Sequence, residues 1–361
     1  MPAIASREIG LALDMHGCPN RCRHCYIEAR PNVNMNYDDL RWAVAQFRGY
    51  VKEGDNKPFV ETLHVMSSTR EPDFSDDYEH LAELEAELGC GKPTRFELLS
   101  IWRLARDPKY AEWAKRVGPD TCQITFFGLQ ETQDWFHRRQ GAFQDCLCAT
   151  ERLLEAGMKP RWQFFLTKKI LPDLPGLMRL IEQMHLCERV QRLGGEFVMF
   201  IHAPVWTGEG RQIAHLGVTL DETTAVPSEL IQSTRKHYKT EKIWTTEAET
   251  IAEILAHPGE RLPVPYSQPM LWFSVKNNWD VYSNRGNYSP WWRLGNMKKD
   301  SINAIFESYD TDGPLGYRFN RPEVLPELAR RYGDPRSRRV VNTIEACWLD
   351  SYCRDLLRRE A

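Results

Sequence analysis

The stretch HGCPNRCRHCY, residues 16–26, brings three cysteines together at spacings of four and three residues. They are Cys18, Cys22 and Cys25. Thiolates are soft ligands that bind zinc or iron. A structural zinc site needs four ligands, and His16 or His24 is available as the fourth, although zinc ligands usually form two pairs separated by a longer loop. A four-iron cluster held by three cysteines instead leaves one iron open to a ligand from outside the chain.

The chain as a whole is nearly neutral. Among its 361 residues, 47 are Lys or Arg and 50 are Asp or Glu, which gives a formal net charge of -3. This balance offers no overall positive field to nucleic acid or to an anionic membrane surface. The first residues lack a charged segment followed by an apolar one, and no stretch has the roughly eighteen apolar residues that span a bilayer. We therefore expect a cytoplasmic protein with reduced cysteines and with neither nucleic acid nor membrane as a partner.

Strand-like stretches alternate with segments of helical periodicity over the first 215 residues. The predicted strands read REIGLALDM, FVETLHVMSS, TRFELLSI, TCQITFFGL, KPRWQFFLT and GEFVMFIHAP. Asn36 and Ser75 are predicted to cap the first two helices. Because each crossover helix returns the chain to the same edge of a sheet, six such units predict an α/β fold with parallel strands.

With Tyr26, the cysteines form the pattern C-x3-C-x2-C-aromatic, which resembles the signature of the radical SAM superfamily. The resemblance implies that Cys18, Cys22 and Cys25 hold a 4Fe–4S cluster, with Tyr26 beside the cofactor. The open iron would bind S-adenosylmethionine (SAM), and an electron from the cluster would cleave it to a 5'-deoxyadenosyl radical. An external donor such as flavodoxin or ferredoxin would supply that electron. The resemblance also implies a partial (β/α)6 TIM-like barrel over residues 1–215, with the cluster at its C-terminal mouth.

Two segments that follow predicted strands resemble the family's SAM-binding motifs. In SSTREPDF, Glu71 takes the place of the carboxylate that binds the SAM ammonium, although Thr69 and Arg70 stand where many members have paired glycines. In QITFFGLQETQDWFHRRQGAFQD, the resemblance assigns SAM contacts to Thr125, Gly128 and Arg139. An arginine suits a carboxylate because its guanidinium donates two parallel hydrogen bonds, and a surface ion pair is the alternative for this arginine.

A loop that follows the sixth predicted strand, HAPVWTGEGR, resembles the family's loop that closes the barrel mouth. The candidate substrate contacts in it are Trp206, Glu209 and Arg211. For Trp206, as for His202 in the same loop, a place in the core or at the rim of the barrel is the alternative.

Residues 216–361 are expected to form a smaller α+β domain with a β-hairpin around Asn277 and Asn278. This region resembles the SPASM or twitch extension, which surrounds auxiliary iron–sulfur clusters. Ser283 and Asn284 stand where a ligand cysteine would follow the hairpin. In the tail only Cys347 and Cys353 are present, so we expect a SPASM-like fold without an auxiliary cluster, unless the fold brings in Cys90, Cys122 or Cys187.

These features predict an enzyme that abstracts hydrogen from a small-molecule substrate in a specialised biosynthetic pathway. Only seventeen residues precede Cys18, and from this we expect no N-terminal domain that binds a precursor peptide. Without an auxiliary electron acceptor, epimerisation or rearrangement is favoured over dehydrogenation. An epimerase of this superfamily returns hydrogen from a thiol, for which Cys347 and Cys353 are the candidates. The alternatives are a radical SAM peptide maturase and, in another class, a zinc- or cluster-binding scaffold or an electron-transfer module without SAM chemistry.

Overall fold

A computed structural model describes residues 6–27, 32–67, 70–92, 94–259, 270–283, 288–310, 314–319 and 321–360. Thr69 and Asn284, which depart from the motifs of the resembled family, lie outside these ranges. Within the described ranges, no helix combines the length and the apolar character needed to cross a membrane.

Eight strands in the described part of the chain form two separate sheets. The strands are β1 (Glu8–Leu13), β2 (Thr62–Met66), β3 (Thr121–Phe126), β4 (Lys159–Phe165), β5 (Val198–His202), β6 (Leu271–Val275), β7 (Asp280–Tyr282) and β8 (Arg293–Asn296). One sheet has the order β2-β1-β6-β7-β8 and the other the order β3-β4-β5. All pairs among β1 to β6 are parallel, and β6-β7 and β7-β8 are antiparallel. The predicted α/β fold with an open, partial barrel is confirmed.

Fourteen helices accompany the strands in the described ranges. They are α1 (Tyr37–Arg48), α2 (Tyr78–Leu88), α3 (Ile101–Arg106), α4 (Tyr110–Val117), α5 (Gln130–His137), α6 (Ala142–Glu155), α7 (Leu174–Gln183), α8 (Leu186–Arg192), α9 (Ser228–Tyr238), α10 (Glu247–Ala256), α11 (Ile302–Asp310), α12 (Leu315–Phe319), α13 (Leu325–Tyr332) and α14 (Ile344–Glu360). Asn36 caps α1 as predicted, and Asp39 completes a capping box. The N-cap of α2 is Asp77, so the predicted cap at Ser75 is two residues early.

The predicted third strand, TRFELLSI, is wrong. Residues 94–100 run beside β3, where the Gln123 amide donates to the Glu97 carbonyl at 2.8 Å, but they form no strand. Phe96 and Leu98 are each 61% exposed, and Ser100 already caps α3. The segment therefore ends before a ladder of hydrogen bonds can form, and it separates the two sheets.

The predicted hairpin is present and extends the barrel sheet. After β6, the Lys276 amide donates to the Asp280 carbonyl at 2.9 Å, which closes the turn into β7. In the parallel register of β1 and β6, Gly10 lies opposite Trp272. A Cβ at Gly10 would be 2.4 Å from the indole, so the missing side chain leaves room for that ring. The boundary between the two proposed domains at residue 215 stays a prediction.

Alternating side chains divide the barrel wall into two faces. In β3, Cys122, Ile124 and Phe126 are buried against the helices, whereas Gln123 and Thr125 face the other way. The same alternation in β1 places Ile9, Leu11 and Leu13 in a second core with α1 and α11. Polar side chains consequently collect on the inner face, as expected for a barrel that encloses a site.

Candidate active site at the barrel mouth

The cysteine-bearing loop follows β1 and is anchored on two sides. The amides of Arg21 and Arg23 donate to the carbonyls of His137 (3.3 Å) and Phe136 (2.8 Å) at the end of α5. On the other side, the Glu209 amide donates to the Cys25 carbonyl at 2.9 Å. The loop therefore lies between α5 and the segment after β5, at the carboxyl ends of the parallel strands where such folds place their sites.

Gly208 makes the second anchor possible. Its φ of +57° lies in the left-handed region, and a Cβ would be 2.7 Å from the carbonyl oxygens of both Cys25 and Tyr26. Only glycine meets both conditions without strain. The glycines of the TGEGR stretch were the available sequence signal for this contact, and sequence reasoning missed it.

The three thiols form one electrostatic group with Glu71. The Cys18 Sγ lies 3.9 Å from Glu71 Oε2. Burial raises the pKa of Cys18, and the Glu71 carboxylate raises it further. Burial is also the largest cause of the raised pKa of Cys22, followed by the neighbouring Cys18 and Cys25. If these thiols were ionised, their negative charges would need a nearby cation, and iron would supply that positive charge.

The donor set suits an iron–sulfur cluster. Within the described ranges, no three or more His, Cys, Asp or Glu side chains are arranged to hold one metal ion. Thiolates on different irons of a cluster need not converge on a single point. Three mutually close soft donors with a carboxylate beside them therefore fit a cluster with one open iron and a polar ligand next to it.

Glu71 is held in place by the start of α3. Ser100 donates its hydroxyl to Glu71 Oε1 at 2.6 Å, and the Trp102 amide also donates to this carboxylate. Burial raises the pKa of Glu71 to about 7, and these hydrogen bonds oppose that shift. The carboxylate is thus oriented toward Cys18 by groups that sequence reasoning did not identify.

Arg139 also reaches the cysteine loop. Its Nε donates to Asn20 Oδ1 at 2.7 Å, and its Nη2 pairs with Asp145 at 2.6 Å. Its positive charge lowers the pKa values of Cys22 and Glu71, although burial outweighs it in both. The structure therefore brings Arg139 together with Glu71 and the cysteines, and it already has a carboxylate partner.

Thr125 and Gly128 lie at the carboxyl end of β3. The Thr125 hydroxyl donates to Gln163 Oε1 at 3.0 Å on the inner face of the barrel. A Cβ at Gly128 would be 2.4 Å from Asp173 Oδ2, the same atom that accepts a hydrogen bond from the Leu129 amide at 2.9 Å. The contacts described here connect neither residue to the cysteine loop, and their role toward SAM stays a prediction.

The three predicted substrate contacts lie in different environments. Trp206 is buried in an apolar cluster with Phe127 and Phe136. The Glu209 carboxylate pairs with Arg138 at 3.3 Å, and Arg211 is exposed on the surface. Their substrate roles stay predictions.

The two tail cysteines also differ. Cys347 accepts a hydrogen bond from the Trp206 backbone, and burial raises its pKa to about 12. Cys353 is fully buried in a cluster that includes Trp291 and Trp348. Tyr26, the aromatic residue of the motif, is 51% exposed.

Sequence reasoning also missed an ion pair beneath the loop. Arg70 Nε lies 2.9 Å from Asp14 Oδ2, and both side chains are buried. This pair joins the residues that follow β1 and β2. Arg70 thus has a structural partner at the position where many members of the resembled family have a glycine.

A cavity of about 480 Å³ extends from the cysteine loop into the barrel. Its walls come from β1, β2, β6, α2 and the 94–98 segment. Its lining includes Tyr26, the apolar Met66 and Trp272, and the charged Arg70, Glu85 and Arg95. The Ser274 hydroxyl also lines the cavity, is buried and has no hydrogen-bond partner among the described residues. The cavity therefore combines apolar walls with charged side chains and a hydroxyl group.

Residues 13–176 match the model of the radical SAM superfamily, so this chain contains a radical SAM domain. Radical SAM enzymes use a 4Fe–4S cluster and SAM. A curated relative is the Fe-coproporphyrin III synthase of Methanosarcina barkeri (strain Fusaro / DSM 804), 24% identical over 225 residues. The match covers 61% of this chain and 49% of the relative, so the chain spans about half the length of that protein.

Two solved structures share the fold along nearly the whole chain. Native anSMEcpe with bound AdoMet gives a TM-score of 0.53 at 12% identity, covering 97% of this chain and 98% of that one. Native anSMEcpe with bound AdoMet and the Cp18Cys peptide gives 0.53 at 13% identity with the same coverage. At these identities the likeness establishes the fold alone.

Proposed function

We propose that Cys18, Cys22 and Cys25 hold the 4Fe–4S cluster of this radical SAM enzyme and that the substrate is a small molecule. The observation that carries the site assignment is the contact of Cys18 with Glu71 at 3.9 Å, beside an arginine that reaches the same loop. A scaffold or electron-transfer module would not need a carboxylate and an arginine positioned beside the thiols.

Each neighbouring side chain has a role in this proposal. Glu71 accepts hydrogen bonds from the SAM ammonium, and Ser100 keeps the carboxylate oriented. Arg139 holds Asn20 of the cysteine loop and places a positive charge beside the cofactor carboxylate. When bound, the cluster and SAM supply a carbon-centred radical that removes a hydrogen atom from the substrate. Phe127, Phe136 and Trp206 form an apolar cluster behind the loop, which limits access of water from that side.

The cavity favours a small molecule with a substantial apolar portion. Its volume of about 480 Å³ lies within the range of small-ligand pockets. The Trp272 indole lies against Gly10 and offers an apolar surface. The Ser274 hydroxyl and the charged Glu85 and Arg95 offer polar contacts. An amino-acid-derived substrate that combines an apolar portion with polar groups suits this lining.

Cys347 is the better of the two proposed hydrogen donors. A donor of hydrogen atoms must carry its S–H proton, and burial raises the pKa of both Cys347 and Cys353 to about 12, so both thiols are protonated at neutral pH. Their positions separate them, because the contact of Cys347 with the Trp206 backbone connects the tail to the segment that anchors the cysteine loop. Cys353 instead is enclosed by apolar side chains. A returned hydrogen atom corresponds to a redox-neutral outcome such as epimerisation.

The test is anaerobic. The protein is reconstituted with iron and sulfide, reduced and given SAM, and 5'-deoxyadenosine is measured by mass spectrometry. We expect about four irons per chain and SAM cleavage in the wild type, and loss of both in Cys22→Ala. Cys187→Ala, which removes an exposed cysteine elsewhere, serves as the matched control. Bound zinc without iron, or equal cleavage by Cys22→Ala and wild type, would refute the site assignment.

The substrate class needs a second measurement. A deuterium-labelled cell extract is separated into small-molecule and peptide fractions, and each is incubated with the reduced enzyme and SAM. We expect deuterium in 5'-deoxyadenosine with the small-molecule fraction. Deuterium with the peptide fraction alone would establish the peptide maturase alternative. That alternative is retained because anSMEcpe, which shares the fold, has been solved with a bound peptide.

A further inference from the structure

We propose that the outer edge of the cysteine loop is the docking surface for an acidic one-electron carrier protein of the flavodoxin or ferredoxin kind. This inference rests on the proposed function, because the carrier is needed to reduce the cluster. The surface, called here the basic rim, consists of Arg23 and Lys169, which lie over Trp135, and of Arg21 and Arg211, which lie on or beside the cysteine loop.

Trp135 is the centre of the basic rim. The Arg23 guanidinium lies 4.4 Å from the centre of the Trp135 ring, and Arg23 Nε donates to the Trp135 carbonyl at 3.0 Å. Lys169 Nζ lies 4.6 Å from the centre of the same ring. Two cations from distant parts of the sequence are thus held by one indole, and Arg23 belongs to the cysteine loop itself.

The remaining cations stand on the same loop and on its second anchor. Arg21 is exposed, and its amide binds the end of α5. Arg211 is exposed and follows Gly210, where a Cβ would be 3.4 Å from the His24 carbonyl. Arg21 therefore lies within the loop between Cys18 and Cys25, and Arg211 lies beside that loop.

Carboxylates of the described chain do not neutralise the basic rim. None of them lies within 4 Å of the cationic groups of Arg21, Lys169 or Arg211. Arg138 nearby is paired with Glu209 at 3.3 Å, and it is not counted in the rim. The rim is a local excess of positive charge on a chain with a net charge of -3, so it is not the consequence of a generally basic surface.

An acidic electron carrier fits this surface better than other anionic partners. The charges surround the loop that would carry the cluster, so a partner seated there brings its own redox centre near the iron. The one-electron step moves no atoms, because the carrier is oxidised by one electron and the cluster is reduced by one electron. Opposite charges steer such an encounter and raise the association rate without requiring a large interface.

The experiment compares two double charge reversals in the reconstituted holoenzyme. Lys169→Glu with Arg211→Glu alters the rim, and Arg358→Glu with Arg359→Glu makes the same change in charge at the exposed end of α14. Photoreduced flavodoxin is the probe, and a reduced plant-type ferredoxin is the second arm. The readouts are the rate of cluster bleaching by stopped-flow absorbance and the dissociation constant of oxidised flavodoxin by calorimetry.

We expect the rim variant to be reduced at least about tenfold more slowly by flavodoxin at low salt and to bind it correspondingly more weakly. The α14 variant should stay within about twofold of the wild type, and added salt should slow the wild type more than the rim variant. An effect with only one of the two carriers identifies which carrier uses the rim. Equal rates and affinities for the two variants with both carriers would overturn the docking proposal.

Dithionite separates this proposal from the one on which it rests. As a small chemical reductant it needs no docking surface, so we expect it to reduce the cluster to the same final extent in all three proteins. A wild type that dithionite cannot reduce, or that binds no iron, would refute the proposed function, and the docking proposal with it.

Discussion

Two regions of this molecule resemble iron–sulfur sites in sequence, and their surroundings differ in kind. At the barrel mouth, three thiols face one another with Glu71 3.9 Å from Cys18. In the C-terminal region, Ser283 stands where the resembled pattern has a ligand cysteine. Its hydroxyl donates to the Trp292 carbonyl at 3.2 Å, and its carbonyl accepts hydrogen bonds from Tyr309 and Tyr317.

The difference lies in how far the polar groups of each region are satisfied by the folded chain itself. Around Ser283 the polar groups satisfy one another, and the apolar cluster that includes Tyr288, Trp291 and Trp292 packs beside it. Around the cysteine loop, burial raises the thiol pKa values, and a positively charged cofactor would reverse that cost. The C-terminal region is complete as folded, and the barrel mouth is completed by a ligand.

The largest effect is expected where the carboxylate meets the thiols. Glu71→Gln removes the charge that would bind the SAM ammonium while the side chain keeps its size and its bond to Ser100. A charge-assisted hydrogen bond contributes about 1.5–3 kcal/mol, so we expect SAM affinity to fall roughly 10- to 150-fold. Equilibrium binding of SAM to the reconstituted protein measures this.

The control for Glu71→Gln is Glu79→Gln, which changes an exposed helical carboxylate on α2. It should leave SAM affinity unchanged. Iron content should be the same in both variants, because neither removes a thiol. Unchanged SAM affinity in Glu71→Gln would show that this carboxylate only caps α3.

A smaller effect is expected at the anchor of the cysteine loop. Gly208→Ala places a Cβ 2.7 Å from two loop carbonyls, whereas Gly194→Ala introduces alanine at a similar positive φ with nothing within 4 Å. Both variants incur backbone strain of about 1–3 kcal/mol. The difference between their free energies of unfolding, from denaturant titration, isolates the contact with the loop.

We expect Gly208→Ala to be the less stable of the two and to retain less iron after reconstitution. Equal stability and equal iron content would mean that the loop shifts without cost, and that the close approach of the two segments is not what fixes the thiols.

The smallest effect is expected in the C-terminal region. Ser283→Cys restores the ligand residue type at the position where the resembled pattern has it. We expect no additional iron, because apart from Cys25 of the cysteine loop the adjoining apolar cluster adds only Cys353 and Cys347 among the described residues, and three cysteines are one fewer than the four that an ordinary 4Fe–4S site has. Iron content should remain at about four per chain. A rise toward about eight per chain would show that the region still assembles an auxiliary cluster.

Much of the candidate site was predictable from the sequence because its ligands are close together in the chain. The spacing of Cys18, Cys22 and Cys25 identifies a cluster motif without knowledge of the fold, and the alternation of apolar stretches predicts the parallel strands. The prediction of the third strand was wrong because its apolar residues are not buried in the structure. Phe96 and Leu98 are each 61% exposed and line the cavity where the two sheets part.

Contacts between distant segments could not be predicted from the sequence. Ser100 orients Glu71, Trp135 holds Arg23 and Lys169, and neither arrangement leaves a local pattern. The pairing of β6 with β1 could not be predicted either, since it joins strands that are more than 250 residues apart in the chain.

The sequence by itself determined the class of chemistry, because three closely spaced thiols and an aromatic residue form a local motif whose ligand preference follows from residue type. Only the tertiary structure decided which side chains surround those thiols, which cations line the outer edge of their loop and which tail cysteine lies near the barrel. The physical reason is that these relations depend on close packing and on hydrogen bonds between segments that meet only after the chain has folded.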